Sequence, residues 1–418
     1  MKIRKLHIEK YKVFDEATFD FVDKEGNTLD TIVLAGVNGC GKTSVLELIK
    51  EIINGCKMER MKIIQNLNTE IEISSSFKKK WEDREELELP EGVKERMALA
   101  SMVNDDTFLL NIAFPPASSS ENLNIRSDAR TKLSFFIEEG YVAYFPANEN
   151  SYEGAKVQQF HINNHQKNME ESLLKSVLND VFRNKQLSPY QTLQSAVQKV
   201  NYLLSDFKLN TKLADFEQEQ MVFESLNGEK IYFNDLSNGE KQLYFRAISL
   251  YQLDINDGII LVDEPEDSLH PTWQKAIITL YQKIGKNNQV IVATHSPHIM
   301  ASVKPESLFL LHIQEGENGR KVQILNMEKE GKHSKGVEPN RILKEIMEVE
   351  MLRDFETQKE IDKLTELLNI QDFEKTETTE LIMQLTIDLG KQDPFIMKVN
   401  HQILMLNRQK EKLSHAPY

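Results

Sequence analysis

Hydrophobic positions along this chain switch repeatedly between a period of two and a period of 3.6, and the switches divide it into elements. Near the start, Ile3, Leu6 and Ile8 lead to Phe19 and Phe21. The run Thr31-Ile32-Val33-Leu34-Ala35, closed by a glycine, predicts a buried strand. Val45, Leu46, Leu48, Ile49, Ile52 and Ile53 then fall on one face of a predicted helix. Phe108, Leu110, Ile112 and Phe114 alternate as a strand, and Tyr141 to Phe145 form another. From about Asn150 to Phe216 the pattern is helical and polar, with Leu173, Leu174, Val177, Leu178 and Val181 on one stripe. Met221 to Ser225 and Ile231 to Phe233 flank Asn227-Gly228, the strongest short hairpin signal. Strand–helix alternation resumes with Ile259 to Val262, a helix from Pro271 to Ile284, and Val290 to Ala293. Ser307 to Leu311 and Lys321 to Met327 predict a closing strand pair around Gly316 and Gly319. Beyond Glu328 a loop rich in Lys and Gly leads into about four amphipathic helices ending near Leu413.

Composition narrows the class. A length of 418 residues allows roughly two to three domain-sized units. No apolar run approaches the ~20 residues that cross a bilayer, so no membrane partner is expected. Met1 to His7 is basic but lacks an apolar h-region, which does not make a signal peptide. Cys40 and Cys56 form no CxxC pair and suit a reducing, cytoplasmic setting. A net charge of −14 argues against a surface that coats DNA. Lys78-Lys79-Lys80 is the densest basic run, and Glu82, Asp83, Glu85 and Glu86 follow it at once, as on a solvated face. A local nucleic-acid groove stays open.

Chemistry concentrates in ordered motifs. Gly36-Val37-Asn38-Gly39-Cys40-Gly41-Lys42-Thr43 matches G-x-x-x-x-G-K-[ST], after a buried strand and at the start of a helix. Its glycines let backbone N–H groups close around phosphates, and the helix N-terminus favours their charge. Gly36, Asn38, Gly39, Gly41, Lys42, Thr43 and Ser44 form the expected ATP-contacting set. Lys42 would reach the β- and γ-phosphates, and the Thr43 hydroxyl would ligate Mg²⁺. The apolar strand before Asp263-Glu264 carries paired carboxylates to its C-terminal end, where α/β sheets bind ligands. Asp263 would hold the metal and Glu264 would orient and deprotonate the attacking water.

The run Leu236-Ser237-Asn238-Gly239-Glu240-Lys241-Gln242 resembles the LSGGQ-type signature of ABC ATPases in its SMC-like form. Ser237 and Gly239 would offer donors to a γ-phosphate, and Ser237 with Glu240 also fits a plain capping box. Glu266-Asp267-Ser268-Leu269-His270-Pro271 resembles a D-loop, and Ala293-Thr294-His295-Ser296-Pro297 a switch-histidine strand. His295 would contact the γ-phosphate. Lys12 and Phe14 sit where SMC-like heads place a nucleotide-contacting basic residue. Gln65 is the first glutamine within reach of a Q-loop role, and a solvated face suits it as well.

Together these motifs resemble the OLD/RecF-like branch of ABC ATPases found in bacterial antiphage systems. The resemblance implies an α/β fold, a P-loop ABC head with a helical insertion and an all-α C-terminal region. On that reading residues 1–149 and 219–327 are the two parts of the head, 150–218 the insertion and 328–418 the tail. The tail is similar to that of PtuA-type ATPases of Septu and some retron defence systems, through Gly336 to Leu343 and Asp393-Pro394. Relatives in the branch with a TOPRIM nuclease carry Asp-x-Asp metal ligands, which the region after residue 327 lacks. The resemblance therefore implies an ATPase without its own nuclease, with ATP and Mg²⁺ as cofactors. Two heads would pair head to head, the Ser237 and Gly239 donors acting across the dimer. A separate HNH nuclease (PtuB-like) would be the partner, with a retron reverse transcriptase and its msDNA as further candidates. A DNA-repair ATPase of SMC or RecF type and a transporter subunit are the rival readings.

Overall fold

The computed structural model describes residues 2–55, 68–74, 100–104, 107–113, 142–145, 157–159, 177, 188–217, 220–253, 255–316, 319–349, 353–369 and 376–414. Alternation in the first residues gives Lys2–Tyr11 (β1) and Phe14–Asp20 (β2), an antiparallel pair that turns its phenylalanines inward. β1 also pairs with Asn68–Ser74 (β4). With Thr107–Ala113 (β6) and Ala100–Asn104 (β5) they make a five-stranded antiparallel sheet of order β2-β1-β4-β6-β5.

The second sheet carries the site. Thr31–Ala35 (β3), Ile259–Asp263 (β12) and Gln289–Thr294 (β13) are buried at every position, as strands covered on both faces must be. Val142–Phe145 (β7) and Val157–Gln159 (β8) extend it on one side, Leu308–Gly316 (β14) and Gly319–Asn326 (β15) on the other. The order is β15-β14-β3-β13-β12-β7-β8, parallel except for the β14–β15 hairpin, which closes at Gly316 opposite Gly319. A third, three-stranded sheet joins Thr211–Glu217 (β9), Gln220–Ser225 (β10) and Lys230–Tyr232 (β11) through the Asn-Gly turn, with Gly228 at φ 79°.

Helix Lys42–Gly55 (α1) leaves the end of β3 and buries Val45, Leu46, Leu48 and Ile49 in one core with Leu6, Ile8, Phe14, Phe19, Ile291 and Ala293. Each such side chain contributes about 1.5–3 kcal/mol on burial. Gln289 holds the two layers together. Its fully buried amide accepts from Ile3 N at 2.8 Å and donates to Ile3 O at 2.8 Å and Leu29 O at 2.9 Å.

Two sequence expectations change in detail. Among the described residues of 150–218, Val177 and Pro189–Leu203 (α2) are helical and Ser205–Phe207 is a 3₁₀ turn, while β8 and β9 lie to either side of α2. A reciprocal capping box between Ser188 and Gln191, with Pro189 at the first position, starts α2. The helix expected from Pro271 to Ile284 is two: Pro271–Gln274 (α4) and Ile277–Gln282 (α5), which follow Asn238–Leu253 (α3). The Thr279 hydroxyl donates to Ala276 O at 2.6 Å, a back-bond of the kind that bends helices. Meanwhile Ile277, Ile278, Leu280 and Tyr281 are drawn into the core.

The chain divides into two compact units, Met1–Ile342 and Leu343–Tyr418. Pro297–Met300 (α6) and the start of Pro339–Glu345 (α7) belong to the first. In the second, Phe355–Asn369 (α8), Thr376–Leu389 (α9) and Pro394–Ser414 (α10) share a small core of Ile361, Leu364, Leu385, Ile396 and Val399. Arg353 grips both carboxylate oxygens of Asp393 at 2.9 Å, and Asp393 caps α10 by accepting from Phe395 N. Among the described residues no helix is long and apolar enough to cross a membrane.

Replacing Gln289 by Leu removes three hydrogen bonds from a dry interface. Stranded buried polar groups cost about 1–3 kcal/mol apiece. The variant should lose about 3 kcal/mol in a denaturant titration, against a near-neutral change if Gln289 merely fills space.

Candidate functional site

Parallel register delivers the site residues to one edge. Thr294 lies opposite Ala35, and Asp263 opposite Ala293, so the loops after β3, β12 and β13 start side by side. The first of these is the phosphate-loop candidate. Gly36 and Gly41 adopt φ 149° and 100°, and both are hemmed in. A Cβ at Gly36 would meet Leu311 O and Cys40 Sγ, and one at Gly41 would meet the Phe14 ring and Val13. Neither position admits a side chain, and α1 begins directly after, presenting its N-terminal N–H groups.

Lys42, 5% exposed, donates to its own loop carbonyls, Gly36 O at 2.9 Å and Val37 O at 3.2 Å. A bound phosphate would compete for that ammonium. Ser44 follows in the first turn of α1. Asn38 and Gly39 stand exposed at the loop tip. The contact of Val13 and Phe14 with Gly41 sets the β1–β2 turn against the loop, with Lys12 at φ 50°. Lys12 Nζ pairs with Glu47 of α1 at 2.5 Å, so it reaches this neighbourhood with its charge already engaged.

The Thr43 hydroxyl donates to Asp263 Oδ1 at 3.1 Å. This hydroxyl–carboxylate pair fits a hard divalent cation such as Mg²⁺, which takes one or two carboxylates and leaves other positions to water and phosphate. Among the described residues no cluster of three or more His, Cys, Asp or Glu could hold a metal unaided. Burial pushes Asp263 up to about 7, with Glu264 adding to the rise and the Thr43 hydrogen bond and Lys42 opposing it.

Glu264 sits at φ 44°, a left-handed conformation rare for a residue with a side chain, and its N–H donates to Ala293 O at 2.8 Å. Its Oε1 lies 3.3 Å from His295 Nδ1. The structure thus brings together Glu264 and His295, the two residues that the sequence singled out as candidate base and candidate switch histidine.

Sequence reasoning gave Glu266 only a place in the D-loop, and the structure gives it a larger part. It is 6% exposed, and its Oε1 accepts from Thr294 Oγ1 at 2.5 Å, His295 N at 2.8 Å and Ser296 N at 2.9 Å. One buried carboxylate oxygen therefore fixes the backbone that carries His295. Its Oε2 has no hydrogen-bond partner, so the carboxyl group is held through one oxygen alone. The second carboxylate of Asp-Glu-Pro-Glu was the available signal.

Ser237 and Gly239 lie at the start of α3. The Ser237 hydroxyl donates to Glu240 Oε2 at 2.8 Å, and Glu240 N donates back to Ser237 Oγ at 3.3 Å. The capping box exists, and Ser237 can reach a phosphate only by releasing Glu240. The other Glu240 oxygen accepts from Thr211 of β9 at 3.0 Å. Gly239 packs under Trp273 and the Ser268 carbonyl. Gln65 and Lys78 to Lys80 lie outside the described residues.

A family model described as "AAA domain, putative AbiEii toxin, Type IV TA system" matches residues 32–301, from β3 to just past His295. The "Retron Ec83 probable ATPase" of Escherichia coli is 25% identical over 410 residues, covering 77% of this chain and 72% of that protein. The "Septu protein PtuA" of Bacillus thuringiensis is 29% identical over 154 residues, 32% of this chain and 39% of that protein. A solved structure, "Crystal structure of the SmcHead bound to the C-winged helix domain of ScpA", aligns at a TM-score of 0.49 and 12% identity, over 79% of this chain and all of that one.

A carboxyl raised to about 7 is protonated in mild acid and a buried anion above neutrality. Its destabilising effect is absent below the unfolded value near 3.8 and grows as pH rises toward 7. Without metal, Asp263→Asn should therefore melt roughly 5 °C above wild type at pH 8, with the gain gone by about pH 4. Calorimetry in a chelating buffer reads this. An equal gain at both pH values would show that the carboxyl is not shifted.

Proposed function

Because the chain belongs to the AAA-domain family matched over residues 32–301, we propose that it is an ATPase of the ABC type. Two copies bind Mg-ATP between them, head to head, and hydrolyse it. One observation carries this reading: Lys42, Thr43, Asp263, Glu264 and His295 meet at one sheet edge, with Thr43 bonded to Asp263 and His295 to Glu264.

Thr43 and Asp263 would hold Mg²⁺, whose charge would offset that of the γ-phosphate. Lys42 exchanges its loop carbonyls for the β- and γ-phosphate oxygens. Glu264, oriented by His295, takes a proton from the attacking water. Ser237, on releasing Glu240, and Gly239 act on the ATP of the other copy, as the resemblance of their run to the ABC signature implies. ATP then joins the heads, and loss of the γ-phosphate removes the contacts across the dimer.

The biological role we assign is sensor and regulatory subunit of an antiphage defence complex that controls a separate HNH-type nuclease. Its support is the likeness to a retron ATPase over most of the chain and to a Septu protein over part of it. The C-terminal helices are the proposed docking surface. They have a core of their own and expose Met383, Ile387, Met397, Leu404 and Met405 to solvent.

Glu264→Gln should keep ATP, hydrolyse it about 10²- to 10⁴-fold more slowly and accumulate as an ATP-bound dimer in light scattering. Turnover at the wild-type rate would remove Glu264 from the base role. Ser237→Arg should abolish ATP-driven pairing, and intact pairing would refute completion of the site by the second copy. Co-expression with the neighbouring reading frame should yield a complex containing a nuclease. A membrane permease found there instead would overturn the defence assignment.

A further inference from the structure

The one-turn helix α4 touches two parts of the site at once. Trp273 covers the signature turn, where a Cβ on Gly239 would lie 2.7 Å from the Trp273 ring and 3.2 Å from Ser268 O. The next residue, Gln274, reaches the switch loop: its Oε1 accepts from Ser296 Oγ at 2.7 Å while its Nε2 donates to Leu269 O at 2.9 Å. Ser296 is no loose end. Its Oγ caps α6 by accepting from His298 N and Ile299 N, and its own N–H shares Glu266 Oε1 with His295 N. Successive helical residues point about 100° apart, so one turn can face both loops.

From this geometry we infer that Trp273 and Gln274 are positioning residues that relay the state of the signature turn to the switch histidine of the same chain. The inference rests on the dimer reading above, in which the signature turn senses the ATP held by the other copy. A shift at Gly239 toward α4 presses on Trp273 and the Ser268 carbonyl, which together fill the space a side chain at this position would take. Ser268 is already at φ 59°, so the D-loop carrying it has little freedom to absorb the movement. The displacement passes through α4 to Gln274, then to Ser296, and so to the backbone on which His295 stands. Two ATP sites linked this way fire together rather than independently. Neither residue touches the reacting atoms. They act through His295.

Steady-state ATP hydrolysis by the full-length protein, across a range of ATP concentrations, tests the relay. Gln274→Leu keeps the volume and deletes both hydrogen bonds. It should leave KM within about twofold, lower kcat about tenfold and reduce the Hill coefficient from above 1 to 1. Trp273→Leu should do the same, and Trp273→Phe, which keeps a ring over Gly239, should restore cooperativity. A purely structural role would instead lower the melting temperature and kcat of all three variants while leaving the Hill coefficient alone, and that overturns the inference. A non-cooperative wild type overturns it too. Ser237→Arg separates the two levels. If Ser237→Arg kills turnover while folded Gln274→Leu and Trp273→Leu stay cooperative, the relay is wrong and the dimer reading stands. If Ser237→Arg itself stays active and cooperative, both fall.

Discussion

Parallel pairing of β3, β13 and β12 is the constraint from which the rest follows. In-register ladders set Ala35 beside Thr294 and Ala293 beside Asp263, so residues more than two hundred apart in sequence emerge at one edge. Parallel strands need both faces covered, and here the burial is complete along all three. The cover on one side comes from α1 and the β1–β2 hairpin. Gln289 ties that hairpin to the sheet through bonds that no water can replace. Anything that loosened this layer would also move Val13 and Phe14 off Gly41, and with them the shape of the phosphate loop.

At that edge the protein maintains several arrangements that a fold selected for stability alone would avoid. Asp263 is a buried carboxyl whose burial holds it neutral until near pH 7. Glu264 and Ser268 occupy left-handed backbone conformations that glycine would adopt without strain. Glu266 has one oxygen crowded with donors and another with no hydrogen-bond partner. Such features persist where surrounding structure over-determines them, and they cluster where charge is to be received. A divalent cation beside Asp263 would relieve the first of them. Ser237 belongs to the same pattern, with its hydroxyl held by Glu240 until a better acceptor arrives.

The turn carrying Ser268 and α4 give these local features a common frame. Ser268, Trp273 and Gln274 lie within seven residues of one another and reach the signature turn on one side and the Ser296 cap on the other. The split between α4 and α5 makes this geometry available. A continuous helix would carry Trp273 and Gln274 along the axis that its second half sends into the core.

Much of this was legible in the chain. The buried run Thr31 to Ala35 followed by the glycine-rich octapeptide, the apolar strand ending in Asp263-Glu264, and the Asn-Gly hairpin are each local signals. Local signals survive because backbone sterics and burial act on neighbouring residues. The break within the Pro271 to Ile284 segment was not legible, since periodicity continues across it while the structure draws Ile277, Ile278, Leu280 and Tyr281 into the core from a separate helix. Nor did sequence reveal that Glu266 anchors three donors of β13 and the loop after it, that Gln289 joins two sheets, or that Lys12 is engaged by Glu47. Those are meetings between segments far apart along the chain, and no periodicity encodes which buried polar group will satisfy which. The sequence by itself determined the chemistry on offer and the strands that carry it. Only the tertiary structure decided which carboxylate is desolvated, which anchors and which is already paired, because those states depend on burial and on donors supplied from elsewhere in the fold.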